Sequence, residues 1–264
     1  MTSSHAQATR SSNRVPEPDA AFWTLKILTT GMGETTSDFL VKTFPPELVV
    51  PAALVVLVIA LAMQLRMRAY RPVPYWATAL MVSVFGTMAA DVLHVGLDVP
   101  YAVSTAGFAA ALAGVFLVWW RSERTLSVHD ITTGRRASFY WTAVLATFAL
   151  GTAAGDLTAT SLGLGYLGSA VLFLVVFAVP GLVFLTTRRA AVATFWAAYV
   201  MTRPLGASFA DWFAVEPARG GVGLGTGPVS GVLLAVFAVL LAVLTVRHRV
   251  GSPTPDTIRV ADPA

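Results

Sequence analysis

The sequence contains no cysteine and little charge. The first absence excludes disulfides and thiolate metal sites, and leaves no trace of a redox compartment. Only 12% of the 264 residues are charged and 56% are apolar, with a mean hydropathy of +0.70, whereas a soluble domain carries roughly 25% charge. So few charges cannot cover so much apolar surface in water. Soluble enzymes, nucleic-acid-binding domains and disordered chains are therefore excluded, and the chain reads as an all-α polytopic membrane protein. Catalytic signatures are also missing. There is no Gly-x-Ser-x-Gly, no His-Glu-x-x-His and no His-x(3)-His, so an enzyme is not expected. No tightly bound cofactor is expected either.

What remains is a series of long apolar runs. About 20 apolar residues span a bilayer as a helix. Eight runs qualify, at 20–42, 47–65, 74–95, 99–120, 137–160, 163–187, 190–214 and 227–246. Residues 1–19 and 247–264 are polar and read as mobile tails, the first lacking the features of a signal peptide. Arg10, Arg14, Arg66, Arg68, Arg71, Arg121, Arg124, Arg135, Arg136, Arg188, Arg189, Arg247, Arg249 and Arg259 fall on one side of the runs. Only Lys42 and Arg219 fall on the other. This asymmetry predicts that both termini are cytoplasmic. It also explains the pI of 9.8 without a nucleic-acid partner. The bilayer and a small ion or solute are the expected partners.

The odd-numbered runs share a pattern. Phe22-Trp23, Tyr75-Trp76, Tyr140-Trp141 and Phe195-Trp196 open them. Eleven residues after each Phe or Tyr stands a glycine (Gly33, Gly86, Gly151, Gly206), and five further on an aspartate (Asp38, Asp91, Asp156, Asp211). The pattern [FY]-W-x(9)-G-x(4)-D thus recurs four times without a gap, which marks four tandem copies. The copies occupy 20–66, 72–121, 137–188 and 190–246. Each reads as a two-helix hairpin. An even number of spans per copy makes the repeats parallel around an axis along the membrane normal.

These motifs resemble a family of bacterial membrane proteins built of four tandem repeats of unknown function, each with two transmembrane segments and a characteristic tryptophan. The resemblance covers roughly residues 15–247. It implies an integral protein of the bacterial cytoplasmic membrane, and it supplies no activity.

The activity must therefore come from the residues. Sixteen residues of helix rise about 24 Å, which places the four aspartates in the outer half of the membrane. Charge at such depth is costly. One reading is a cation site. Asp38, Asp91, Asp156, Asp211 and Glu34 would supply hard oxygens for Mg²⁺, Ca²⁺ or Mn²⁺. Thr87 and Thr152, which occupy Glu34's position in their copies, would add hydroxyls. A second reading is structural, with each aspartate accepting from the amides at a neighbouring helix start. Arg203 and Lys26 break the repeat. Arg203 should be paired with a carboxylate, and it equally suits an anionic or zwitterionic solute. Lys26 is expected to snorkel to the cytoplasmic interface. His94, three residues after Asp91, is a further metal or proton ligand candidate. The aromatic pairs read as interfacial anchors, and the motif glycines as points of close helix approach. The glycine-rich 220–227 loop reads as a permissive turn or a gate. The leading expectation is a cation transporter or channel, most suited to a divalent metal. A solute transporter centred on Arg203 and a non-transport scaffold are the alternatives.

Overall fold

The computed structural model describes residues 12–187 and 191–250. Arg10, Arg188, Arg189 and Arg259 lie outside the described residues. Eight long helices carry the chain: α1 (Ala20–Thr43), α2 (Pro46–Arg66), α3 (Pro72–Asp91), α4 (Tyr101–Glu123), α5 (Gly134–Asp156), α6 (Gly165–Thr187), α7 (Ala191–Ala214) and α8 (Thr226–Val250). Asp19 caps α1 by accepting from the Phe22 amide, and Thr133 caps α5 by accepting from that of Arg136. Proline opens α2 and α3, where its missing N–H removes nothing from the helix. Among the described residues, six segments are long and apolar enough to cross a membrane: Pro46–Arg66, Pro72–His94, Tyr101–Glu123, Gly134–Ser161, Gly165–Thr187 and Thr226–Val250. α1 and α7 are less apolar because they carry Lys26, Glu34 and Arg203 on buried faces.

The odd helices form a closed inner ring, with α1 on α3, α3 on α5, α5 on α7 and α7 on α1. The even helices stand outside it, and each packs mainly on the odd helix of the following copy. α2 lies on α3, α4 on α5, α6 on α7 and α8 back on α1. Each copy is thus a helix pair whose two members pack less on each other than on neighbouring copies. The second helix of a copy leans on its neighbour, so no copy is complete alone. Val55, Ile59, Val175, Val232 and Val239 of the outer helices remain exposed, as a lipid-facing surface requires.

The motif glycines set the ring's spacing. A methyl group added at Gly33 would collide with Ser83, at Gly86 with Phe148, at Gly151 with Arg203 and Pro204, and at Gly206 with Thr30. In every case the intruding residue lies eight positions after the aromatic start of the next copy, and the fourth copy closes on the first. Absence of a Cβ is what lets these helix faces meet.

Two expectations about the aromatic end of the ring are corrected. The aromatic pairs are packed inside rather than at a lipid interface. Trp76 and Tyr140 are fully buried, Tyr75 donates to or accepts from the Tyr140 hydroxyl at 2.5 Å, and Phe22 packs against Trp76 and Phe195. Eight aromatic rings meeting at one end of a narrow ring of helices pack against one another. Nor is the segment before α1 wholly a loose tail. The Asn13 side chain donates to the Val128 carbonyl and accepts from the Ile131 amide, and Arg14 donates to the Leu65 carbonyl. Residues 13–15 thus tie the α2–α3 and α4–α5 connections together.

Candidate functional site

The inner ring stacks its polar residues in levels, because residues four apart share a helix face. Nearest the aromatic end of the ring lies Lys26, 1% exposed. Its Nζ lies 4.0 Å from the Phe148 ring centre and 4.3 Å from that of Tyr199, and has no hydrogen-bond partner among the described residues. The expected snorkelling therefore does not occur. α1 is an inner helix, so the Lys26 stem is surrounded by protein and has no route to the interface. Cation–π attraction supplies part of the lost hydration.

One turn further along stands Arg203, with no exposed surface. Nη1 donates to the Thr30 carbonyl at 3.1 Å. Nη2 donates to Glu34 at 2.5 Å, to Thr152 at 2.7 Å, and also to Thr87. All four copies thus contribute to one buried cluster, with Glu34, Thr87 and Thr152 at the same level. Glu34 is engaged in this pair rather than free to meet a substrate. Buried charges persist only when paired and hydrogen-bonded, and this pair satisfies both conditions.

The four motif aspartates form the next level, each partly exposed. Each stands sixteen positions after the aromatic start of its copy, so they share one height in the ring. They do not form one cage. Among the described residues, Asp91, His94 and Asp156 bring ligand atoms within 4.8 Å of one another, and Asp38, Asp211 and Glu34 are not in that group. Helix axes about 8–10 Å apart leave the diagonals of a four-helix ring too wide for short aspartate side chains. Asp38 instead binds Lys42 at 2.6 Å. Among the described residues no backbone amide donates to these four side chains, which removes the geometric basis for stapling at helix starts.

His94 sits where α3 widens into a π-helical turn, Val92–Gly96. α5 does the same at Leu157–Ser161. Both turns directly follow a motif aspartate, and π-turns frequently mark functional positions. The His94 side chain faces Asp156 of the next copy, with Nδ1 3.9 Å from Oδ2. Its Nε2 lies 2.6 Å from the Ser104 hydroxyl. Ser104 is a site residue that the sequence reading missed, since nothing in its spacing ties it to His94.

The glycine-rich loop holds no ligand cradle. Its amides fold back onto the end of α7, with Val222 donating to Trp212, Gly223 to Val215, Leu224 to Phe213 and Gly225 to Ala214. Gly220, Gly223 and Gly225 adopt φ of 83°, 85° and 82°, which explains glycine at those positions.

The repeats now have a sequence match. Residues 21–70, 74–125, 139–190 and 194–249 match the Repeat of Unknown Function (DUF347). The chain belongs to the DUF347 family. Its four family repeats contain the four odd–even helix pairs described above. No curated protein and no solved structure matches the chain. The DUF347 match fixes the repeat architecture, and the chemistry has to be argued from the side chains.

Proposed function

We infer that the chain crosses the membrane eight times, with all four copies entering in the same sense and both termini cytoplasmic. The cytoplasmic membrane of a bacterium is the compartment its family resemblance implies. In that membrane it moves a small cation, and divalent metal ions are the class its oxygen ligands suit. One observation carries this reading. Four partly exposed aspartates stand at one level at the outer end of the ring, while the central cation beneath them, Arg203, is already paired with Glu34. Such a mouth concentrates cations. The buried aromatic level at the opposite end closes the axis, so passage requires the inner helices to move, as in a carrier. No catalytic machinery and no resident cofactor enter this reading.

One observation favours a second reading. Lys26 is buried without a hydrogen-bond partner among the described residues. If the Glu34–Arg203 pair opened, Arg203 and Lys26 would present two cations to an anionic or zwitterionic solute.

Flux into proteoliposomes tests both. Mg²⁺, Ca²⁺, Mn²⁺ and Zn²⁺ are offered in turn, with an internal pH dye. The cation reading expects uptake of at least one ion, reduced at least tenfold by Asp91→Asn or Asp156→Asn in protein that elutes as wild type. No flux of any cation, or undiminished flux in both variants, would reject it.

A further inference from the structure

We propose that Asp91, His94 and Asp156 form a binding site for a borderline transition-metal ion of the Zn²⁺, Mn²⁺ or Co²⁺ class. Ser104 supports the His94 ring. Its hydroxyl lies 3.1 Å from the Tyr101 carbonyl and 3.4 Å from that of Pro100, and either can accept the serine hydrogen. With the hydrogen there, Nε2–H donates to Ser104 Oγ across the 2.6 Å contact, and this is the tautomer that ligates through Nδ1. In the neutral ring this leaves Nδ1 with a bare lone pair. The side chain is 3% exposed, and Nδ1 has no hydrogen-bond partner among the described residues. It faces the Asp156 carboxylate at 3.9 Å, with Asp91 on its other side. A lone pair held against two carboxylates is repulsive until a cation lies between them.

The surroundings fit a metal. An acceptor on the ring's other nitrogen, which fixes the tautomer, is the usual support for a ligating histidine. The Tyr101 ring packs against the imidazole at 4.3 Å between centres and restrains its rotation. Ligand atoms now within 4.8 Å would draw in to about 3.4 Å around a tetrahedral ion with 2.1 Å bonds, a movement that aspartate rotamers supply. Nitrogen in the set shifts preference away from Ca²⁺ and Mg²⁺, which take oxygen. Three protein ligands leave a position open, as suits an ion that exchanges rather than one that is structural. Only the second copy carries the histidine. Val41, Ala159 and Ala214 occupy its position in the others, so the four-fold scaffold becomes specific at one junction. As the entry site of a transported ion, this assignment rests on the cation reading above. As a metal site it stands apart.

The experiment is a Co²⁺ titration of chelator-treated protein in lipid nanodiscs, read by visible ligand-field absorption, with Zn²⁺ and Ca²⁺ as competitors. Wild type is expected to bind one Co²⁺ per chain, displaced by Zn²⁺ and not by equal Ca²⁺. His94→Ala and Asp156→Asn should weaken binding at least about 100-fold, and Ser104→Ala by about 10–100-fold. Glu216→Gln, at an exposed position away from the site, should leave it unchanged. His94→Gln keeps side-chain bulk without the imidazole, and replaces His94→Ala if that protein does not fold. No saturable absorption in wild type would overturn the site and would assign the His94–Asp156 contact to a proton. Wild-type affinity in the folded His94 variant, or displacement by equal Ca²⁺, would overturn it as well. Proteoliposome flux separates the two claims: binding without flux rejects transport alone, and flux without binding rejects this site alone.

Discussion

Arg203 reaches residues of all three other copies, which makes it the most consequential side chain in the interior. Replacing it with methionine leaves Glu34 buried and unpaired, at an expected cost of about 3–5 kcal/mol. Thermal unfolding in detergent measures this, and the double substitution Arg203→Met with Glu34→Gln should recover most of the loss. If the single and double variants unfold alike, the pair is not the source of the stability. Lys26 is the opposite case. Its buried amine lacks a hydrogen bond, so Lys26→Met should leave stability unchanged or raise it by about 1 kcal/mol. A clear loss would show that the ammonium has a role beyond packing. The sequence showed that Arg203 needed a carboxylate, because an arginine eight residues before Asp211 is too deep to stay unpaired. It did not show which one. The alignment of copies held part of the answer. Lys26 stands in register with Tyr199, and Arg203 with Phe148, and those aromatic rings are what the two cations touch.

At the scale of helices, the four motif glycines and the outer-helix glycines make a controlled comparison. Gly206→Ala would press a methyl into Thr30 and the Gly31 backbone, and Gly86→Ala into Phe148. Each should cost about 1–3 kcal/mol by overpacking. Gly107 and Gly114 on α4 have nothing within 4 Å of an added Cβ, so alanine there should be neutral or slightly stabilising by helix propensity. Thermal unfolding of the four variants checks this, and equal effects in both groups would contradict the cyclic packing. The helices were legible because apolar length is a strong signal, and the motif glycines were legible as contact points. Their partners were not, since a tandem repeat specifies levels along an axis and not which neighbour a helix leans on. The same gap hid the pairing of each even helix with the next copy. The aromatic pairs misled for a related reason. Aromatic residues at a helix start read alike whether they face lipid or close the end of a ring. The π-turn that carries His94 to Asp156 leaves no mark in a 3.6-residue period.

For the whole molecule, the absence of cysteine makes orientation directly measurable. Single cysteines at exposed Asp98 or Glu216 should react with a membrane-impermeant maleimide in intact cells, whereas those at exposed Arg68 or Arg121 should react only after lysis. Labelling of all four in intact cells, or of the opposite pair, would refute the eight-span orientation. That orientation rests on the basic loops alone, a charge asymmetry that is legible whatever the arrangement of the helices between. The sequence places carboxylates and cations in the same helices, and the Glu34–Arg203 pair shows which two of them are matched. The most direct measurement of the central claim is therefore the transient current of reconstituted protein on a solid-supported membrane after a concentration jump. A jump of Mn²⁺ or Zn²⁺ should displace positive charge inward, and Asp91→Asn with Asp156→Asn should abolish the signal. A negative displacement on jumps of organic anions, with no response to any divalent cation, would contradict it.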